Sequence, residues 1–162
     1  MAEHVQTPPR KPTPALMRLF NTLPKLLLRS PLHGLMSQKV LLLTFTGRSS
    51  GKRYTLPLSY VQSGDQLLLG TESAWWKNLR GASVSVRLRG RTRQGRAEII
   101  DDEAGMREAY RTILTLYPGY SRFIGVTLDA DGQPNREAVA RGRQRGLVVI
   151  RIQLDPSGGA LR

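Results

Sequence analysis

A succession of short β-rich segments separated by tight turns constrains the fold more than any other feature. Residues 39–46 (KVLLLTFT) form an apolar run that ends at Gly47, and residues 54–61 follow a turn-rich stretch. A Ser-Gly-Asp turn then leads into residues 66–71. Runs rich in branched and aromatic residues, bounded by Gly, Ser and Asp, are typical of strands joined by hairpins. Three antiparallel strands are therefore predicted.

A second hairpin follows in the sequence. Residues 83–88 alternate Val and Leu with polar side chains, which is the period-two pattern of a half-buried strand. Gly90 turns the chain into a partner strand that extends to Ile100. Between the two hairpins, residues 74–80 (AWWKNLR) suit one or two helical turns.

The last third adds helices and one more strand. Asp101 and Asp102 are N-cap candidates for a helix over residues 103–116, in which apolar residues recur at spacings of three and four. Asn135 caps a short basic helix, and residues 146–154 (GLVVIRIQL) form a buried strand. About six strands with one main helix before the last predict a mainly β (α+β) chain: a small antiparallel split or partly closed β-barrel with flanking helices.

The chain of 162 residues, 40% of them apolar, is long enough for one domain. Residues 1–14 contain four prolines and no periodicity, and are expected to be a disordered lead. An amphipathic helical segment is predicted over 15–38, the barrel domain over 39–155 and a loose tail over 156–162.

The leucine-rich segment 15–38 has two interpretations. Its leucines are suited to lie at a membrane surface, with Arg18, Lys25 and Arg29 near lipid phosphates. Equally, the segment is suited to pack across the domain's own core, as most amphipathic helices do. The residues alone leave both open.

The composition excludes several chemistries. The chain has no Cys and only two His, at positions 4 and 33, so thiolate or histidine-rich metal centres and disulfides are excluded, and no metal is expected. No Ser-His-Asp set supports hydrolysis. Neither an export signal nor an apolar run of membrane-spanning length is present, which predicts a cytoplasmic location.

The formal net charge is +13, and it is concentrated in the first two thirds of the chain. Residues 1–40 carry six basic and one acidic side chain, residues 41–100 ten and three, and residues 101–162 nine and eight. Such an excess favours a polyanionic partner: nucleic acid, an anionic membrane or an anionic small ligand. Since twenty of the 25 basic residues are Arg, a general compositional preference explains the charge equally well.

The segment TGRSSGKR, residues 46–53, carries the densest chemical signal. Two glycines allow tight folding, two serines supply hydroxyl donors, and three cations surround them. This composition suits a phosphate, although the P-loop spacing is absent and a solvated basic turn has the same composition.

Two aromatic groups are further candidates. Adjacent Trp75 and Trp76 cannot both point into one core from a short element, so one is expected at a surface or pocket, where an indole stacks on a flat heterocycle or merely packs on its neighbours. Tyr117, Tyr120 and Phe123 follow the main helix at intervals of three. They suit either an apolar pocket with a phenol as proton donor or a cap on the core.

Taken in order, these motifs resemble a known family. LLLTFTGRSSGKRYTLPLSY (residues 41–60), SGDQLLLG, AWWKNLR, SVRLRGR and TLYPGY (residues 115–120) are similar to those of the deazaflavin-dependent nitroreductases and quinone reductases. Members of that family are split β-barrels that bind an oligoglutamyl 5-deazaflavin, coenzyme F-420. The resemblance covers roughly residues 39–123.

The resemblance implies an activity and a set of site residues. The implied reaction is hydride transfer from the reduced coenzyme to a quinone- or nitroaromatic-like acceptor, a small molecule. The residues implied to contact the coenzyme are Arg48, Ser49, Ser50, Gly51, Lys52 and Arg53 at its phosphate, and Trp75, Trp76 and Asn78 beside its ring. Tyr117 and Tyr120 are the implied proton donors, and Phe123 lines the substrate pocket.

The sequence also departs from the family pattern. Family members often have Lys at the position of Ser49, a Pro-Arg pair at Arg53-Tyr54, and Tyr at Phe123. A Gly- and Lys-containing loop often precedes their Trp, whereas here residues 70–74 pass almost directly into Trp75. Weaker phosphate binding is therefore expected.

Alternatives differ mainly in the ligand. FMN in place of the deazaflavin keeps the same enzyme class, whereas a lipid, haem or tetrapyrrole in the barrel would make the protein a non-catalytic carrier. Nucleic acid is not expected as a partner, because the basic residues are not interleaved with aromatics. Monomer and homodimer both remain open, as does contact of 15–38 with the inner face of the membrane.

Overall fold

A computed structural model describes residues 40–156 of the chain. This part contains the strands β1 (Val40–Thr46), β2 (Arg53–Ser59), β3 (Val61–Ser63), β4 (Gln66–Thr71), β5 (Ser83–Leu88), β6 (Arg91–Ile100) and β7 (Val148–Leu154). Its helices are the 3₁₀ helices η1 (Ala74–Leu79) and η2 (Pro118–Tyr120) and the α-helices α1 (Glu103–Leu116), α2 (Ser121–Ile124) and α3 (Arg136–Gln144). The predicted lead 1–14, the segment 15–38 and most of the tail lie outside the described residues.

All seven strands form one antiparallel sheet in the order β2-β1-β5-β6-β7-β4-β3. β2 and β3 are the two edges, yet Tyr60 is the only residue between them. Because consecutive Cα atoms are about 3.8 Å apart, the ends of the two edges lie within about 7.6 Å of each other. The sheet is therefore rolled up, and the predicted fold class is confirmed.

The strand count differs from the prediction by one. The sequence pattern predicts a single strand over 54–61, whereas the structure divides it at Tyr60 into β2, which pairs with β1, and β3, which pairs with β4. The break itself, Ser59-Tyr60-Val61, contains no Gly or Pro and so carries no local signal of this change of partner.

Successive side chains along each strand point to opposite faces of the sheet, so the buried apolar residues form two separate cores. Inward side chains fill the rolled sheet, including Leu41, Leu43, Phe45, Leu67, Leu69, Val84, Val86, Ala97, Ile150 and Ile152. The opposite face of β4, β6 and β7 packs with the helices in a second cluster that contains Leu68, Ile100, Val149, Met106, Tyr110, Ile113 and Tyr120. Burial of each large apolar side chain stabilises the fold by about 1.5–3 kcal/mol.

Capping residues position the two longer helices. The Asp102 carboxylate accepts from the N–H of Gly105 at 2.8 Å, and the Asn135 side chain accepts from the N–H of Ala138 at 2.9 Å. Both caps were predicted from the sequence. The other candidate, Asp101, instead pairs with Arg80 at 2.8 Å.

The rolled sheet has a split, which is the gap between β2 and the β4 residues beyond the reach of β3. β3 pairs only with residues 66–68 of β4, which leaves Gly70 on a free edge. The Tyr120 hydroxyl spans the split: it accepts from the N–H of Gly70 at 3.0 Å and donates to the carbonyl of Ser59 at 3.2 Å. Its ring is only 2% exposed. Tyr120 therefore connects two strands that do not pair.

Replacement of each of two buried tyrosines by Phe is expected to change the free energy of unfolding differently. Tyr120→Phe leaves a donor and an acceptor unsatisfied and is expected to lower the free energy of unfolding by about 1–3 kcal/mol. The hydroxyl of Tyr110 is buried without a hydrogen-bond partner among residues 40–156, so Tyr110→Phe is expected to be neutral or slightly stabilising. Urea unfolding of both variants measures the difference, and equal losses would contradict the role given to Tyr120.

The same phenols make stability depend on alkaline pH. Burial raises the pKa of Tyr120, and burial together with the nearby Tyr120 and Glu72 raises the pKa of Tyr110. An unfolded tyrosine ionises near pH ~10, whereas these two remain protonated in the folded chain, so the unfolded state holds fewer protons above that pH. Stability is expected to fall as pH rises above about 10. The fall should be shallower in the Tyr110→Phe, Tyr120→Phe double variant, as followed by urea unfolding across this range.

Candidate functional site

The loop between β1 and β2 is a tight turn. The N–H of Gly47 donates to the carbonyl of Lys52 at 2.8 Å, and the N–H of Gly51 donates back to the carbonyl of Gly47 at 2.9 Å. Gly51 has a φ of 64°, which favours glycine. A Cβ on Gly47 would lie 2.6 Å from Ser50 Oγ and 2.8 Å from Tyr54 Cε2, so the close approach requires glycine there too.

This turn presents donors and positive charge together. The hydrogen bond from Gly51 to Gly47 closes one helical turn, and within residues 40–156 the N–H groups of Ser49 and Ser50 have no acceptor. Arg48, Lys52 and Arg53 are exposed, and no ion pair in the described part of the chain uses them. Adjacent backbone N–H groups beside cations form an anion-binding concavity.

η1 lies against this loop. The Asn78 amide oxygen accepts from the N–H of Arg48 at 3.0 Å, and its amide nitrogen donates to the carbonyl of Trp75 at 2.9 Å. The Phe45 ring stacks on Tyr54, with centroids 5.7 Å apart, and on Trp75, with centroids 5.8 Å apart. The predicted phosphate loop and the predicted aromatic element are thus adjacent.

The two tryptophans have different environments, although both are half-buried against the inner core. Trp75 belongs to the aromatic stack. Trp76 has the Lys77 Nζ at 6.0 Å and the Arg80 Cζ at 5.6 Å from its ring centroid, within the range of cation–π contact. The ring of Trp76 is therefore in contact with cations at the surface.

Phe45 and Tyr54 were not identified from the sequence as site residues. They form a pair in the register of β1 and β2. This pair lies directly next to the Thr46–Arg53 pair that borders the turn. An aromatic at each flank of a cationic hairpin loop is the signal that would have found them.

The aromatics after α1 form a separate group. The Tyr120 ring centroid lies 6.2 Å from that of Tyr117 and 5.6 Å from that of Phe123. Tyr120 binds Ser59, which is six residues along β2 from Arg53, or about 20 Å in an extended strand. The structure therefore brings the loop and η1 together and places these three rings toward the other end of β2.

Exposure distinguishes the three rings. Phe123 is 66% exposed, Tyr117 is half-buried and Tyr120 is buried. The hydroxyl proton of Tyr120 is donated to Ser59, so its use as a proton donor would require that bond to break. The predicted donor roles of Tyr117 and Tyr120 remain predictions.

The connection from β4 to η1 is short, as the sequence indicates. Only Glu72 and Ser73 separate the strand from the helix. Glu72 pairs with Arg145 at 3.0 Å, and the N–H of Ser73 donates to Thr71 Oγ1 at 3.1 Å. These contacts hold the end of β4 beside the C-terminus of α3.

A family model described as F420H(2)-dependent quinone reductase matches residues 30–128, more than half of the chain. The chain belongs to this family. It is therefore an oxidoreductase that uses the reduced deazaflavin coenzyme F-420, as the sequence motifs imply.

Individual known proteins are only distantly similar to this chain. No curated protein matches the reductase. Among solved structures, it is similar to an F420-H2 dependent reductase (FDR-A), with 18% identity over 71% of this chain and 94% of that chain and a TM-score of 0.49. It is also similar to a conserved hypothetical protein from Mycobacterium tuberculosis, with 17% identity over 80% and 90% of the two chains and a TM-score of 0.49.

The chemistry of the loop and η1 fits such a coenzyme. Two backbone N–H groups without an acceptor in the described region, at Ser49 and Ser50, suit a phosphate, and the exposed cations suit carboxylates. The half-buried rings of Tyr54 and Trp75, each stacked on buried Phe45, supply a flat aromatic surface of the kind on which a planar ring packs.

Gly47→Ala tests how tightly the loop is built. The added methyl group must displace Ser50 Oγ and the Tyr54 ring, so it is expected to disturb the aromatic stack and lower the free energy of unfolding by about 1–3 kcal/mol. Near-UV circular dichroism and urea unfolding measure the two effects. Ser49→Ala, at an exposed position of the same loop, should change stability by no more than about 0.5 kcal/mol.

Proposed function

We propose that the reductase transfers a hydride from reduced coenzyme F-420 to a quinone- or nitroaromatic-like acceptor, with the coenzyme held between the loop 46–53 and η1. The observation that carries this proposal is the hydrogen bond from the N–H of Arg48 to Asn78, because it joins an anion-binding loop to an aromatic element. A planar ring with an anionic tail needs both features side by side.

The loop residues would bind the tail of the coenzyme. The N–H groups of Ser49 and Ser50 are suited to donate to phosphate oxygens, with Gly51 providing the turn. Arg48, Lys52 and Arg53 are suited to pair with the phosphate and the glutamyl carboxylates. Arg at two of these positions allows bidentate hydrogen bonding.

The aromatic residues would orient the ring and exclude water from one side of it. When bound, the reduced coenzyme supplies the hydride. Trp75 is held in place by its stacking on Phe45 and by the hydrogen bond from Asn78 to its carbonyl, so it presents a fixed surface. Fixed orientation of donor and acceptor lowers the barrier to the reaction between them. Trp76, beside Lys77 and Arg80, would lie near the more charged part of the coenzyme.

Proton delivery to the acceptor would come from Tyr117 or Tyr120, whose ring centroids lie 6.2 Å apart. Tyr117 is half-buried, and the Tyr120 hydroxyl would first have to leave the carbonyl of Ser59. Phe123, which is exposed and has its ring centroid 5.6 Å from that of Tyr120, would contact the apolar part of the acceptor. On this proposal the acceptor approaches from the side of η2 and α2.

The proposal includes a location at the inner face of the membrane. Among residues 40–156, no helix is long and apolar enough to cross a bilayer. The support for peripheral contact is the sequence of residues 15–38, with leucines and the cations Arg18, Lys25 and Arg29. Unchanged liposome binding after deletion of residues 1–38 would refute this part of the proposal.

Fluorescence titration with coenzyme F-420, beside FMN and at several salt concentrations, tests the proposal. Saturable binding that weakens with salt is expected for the deazaflavin, because its tail binds through charge. Lys52→Gln and Arg48→Gln are each expected to weaken binding about three- to tenfold. Arg111→Gln, which removes an exposed charge on α1, is the matched control and should leave the affinity unchanged.

Two results would contradict the proposal. Binding of neither flavin would point to a carrier of another ligand, and tighter binding of FMN than of the deazaflavin would change the cofactor. If binding holds, turnover with quinones and nitroaromatics identifies the acceptor class.

A further inference from the structure

Asn78 uses both ends of its side-chain amide within the protein. Its oxygen accepts from the N–H of Arg48, and its nitrogen donates to the carbonyl of Trp75. Only one orientation of the amide satisfies both bonds, because the reverse orientation would oppose two N–H groups at Arg48 and two oxygens at Trp75. The family resemblance implies contact between Asn78 and the coenzyme, whereas these two hydrogen bonds direct the amide oxygen and one amide N–H toward the protein itself.

The bond to Arg48 joins two elements that are far apart in sequence. Arg48 and Asn78 are 30 residues apart. Within residues 40–156, this is the single hydrogen bond between the loop residues 47–52 and η1. Its loss would leave no hydrogen bond between the loop and η1 in the described part of the chain.

The bond also determines which N–H groups of the turn are available. The turn closed by Gly51 and Gly47 directs the N–H groups of Arg48, Ser49 and Ser50 outward, as at the start of a helix. The Asn78 oxygen accepts from the first of these N–H groups, at Arg48, and leaves those of Ser49 and Ser50 available to an anion. An anion would therefore meet a defined pair of donors on a loop of fixed orientation.

We infer that Asn78 is a positioning residue for the coenzyme's phosphate: it orients the loop so that Ser49 and Ser50 donate to an anion. The inference rests on the proposed function and adds the origin of the loop's geometry. It also couples the two halves of the site, because the same amide fixes the Trp75 carbonyl.

Asn78→Ala tests this role through readouts that do not depend on turnover. Amide hydrogen exchange at Arg48 is expected to become faster, because its acceptor is removed. Affinity for coenzyme F-420 and for inorganic pyrophosphate is expected to fall about three- to tenfold, the equivalent of one hydrogen bond. Affinity for the deazaflavin chromophore without its phosphate tail is expected to change less than about twofold.

Two further variants complete the design. Gln94→Ala removes an exposed amide from β6 and should change none of these readouts. Asn78→Ser keeps a polar side chain that is too short to reach Arg48, so it should match Asn78→Ala and provides a second test if the alanine variant is poorly folded.

The outcomes separate this inference from the proposed function. If the unmodified protein binds neither the coenzyme nor pyrophosphate, the proposed function fails. If it binds both and Asn78→Ala binds them equally well, the positioning role is wrong. An equal loss of affinity for the phosphate-bearing and phosphate-free chromophores would also overturn it, since that result indicates direct contact with the ring.

Discussion

The single-residue connection at Tyr60 determines where the sheet closes. β2 and β3 are opposite edges of one sheet, and a covalent link of one residue holds them together at Ser59 and Val61. No such link exists at the other end of β2, where the chain enters from the loop at Arg53. The barrel is therefore closed at one end and split at the other, and the Tyr120 hydroxyl bridges Ser59 of β2 to Gly70 of β4 where the split begins.

The candidate site lies toward the end that the sheet does not close. There β2 contributes half-buried Tyr54, Leu56 and Leu58 to the inner core, and η1 adds Trp75 and Trp76 in place of a further strand. Aromatic rings cover this part of the core, and their faces also suit a flat ligand. One set of residues thus completes the fold and forms the proposed binding surface, so a substitution there is expected to affect both.

Local patterns in the sequence predicted most of the fold. The alternation of apolar and polar residues predicted the strands, and Asp102 and Asn135 predicted where two helices begin. These signals could be found because each depends on residues within one turn or one hairpin. The long-range hydrogen bonds of Tyr120 and Asn78 were not predicted. Tyr120 bonds to residues 50 and 61 positions away, and Asn78 to one 30 positions away. No periodicity records such contacts, and motif order alone assigned both residues to the ligand.

The short connection between β4 and η1 affects how the coenzyme would be held. The connection consists of Glu72 and Ser73, with Glu72 paired to Arg145, so it offers no lysine to an anionic tail. On the proposed function, the charge contacts of the tail would come from the β1–β2 loop and from Lys77 and Arg80 beside Trp76. Exposed charges separated by water are screened by salt, whereas the paired N–H groups of Ser49 and Ser50 act at contact distance. On the proposed function, the orientation of those two groups, and hence the residue that fixes the loop, would matter more than the position of any one exposed cation.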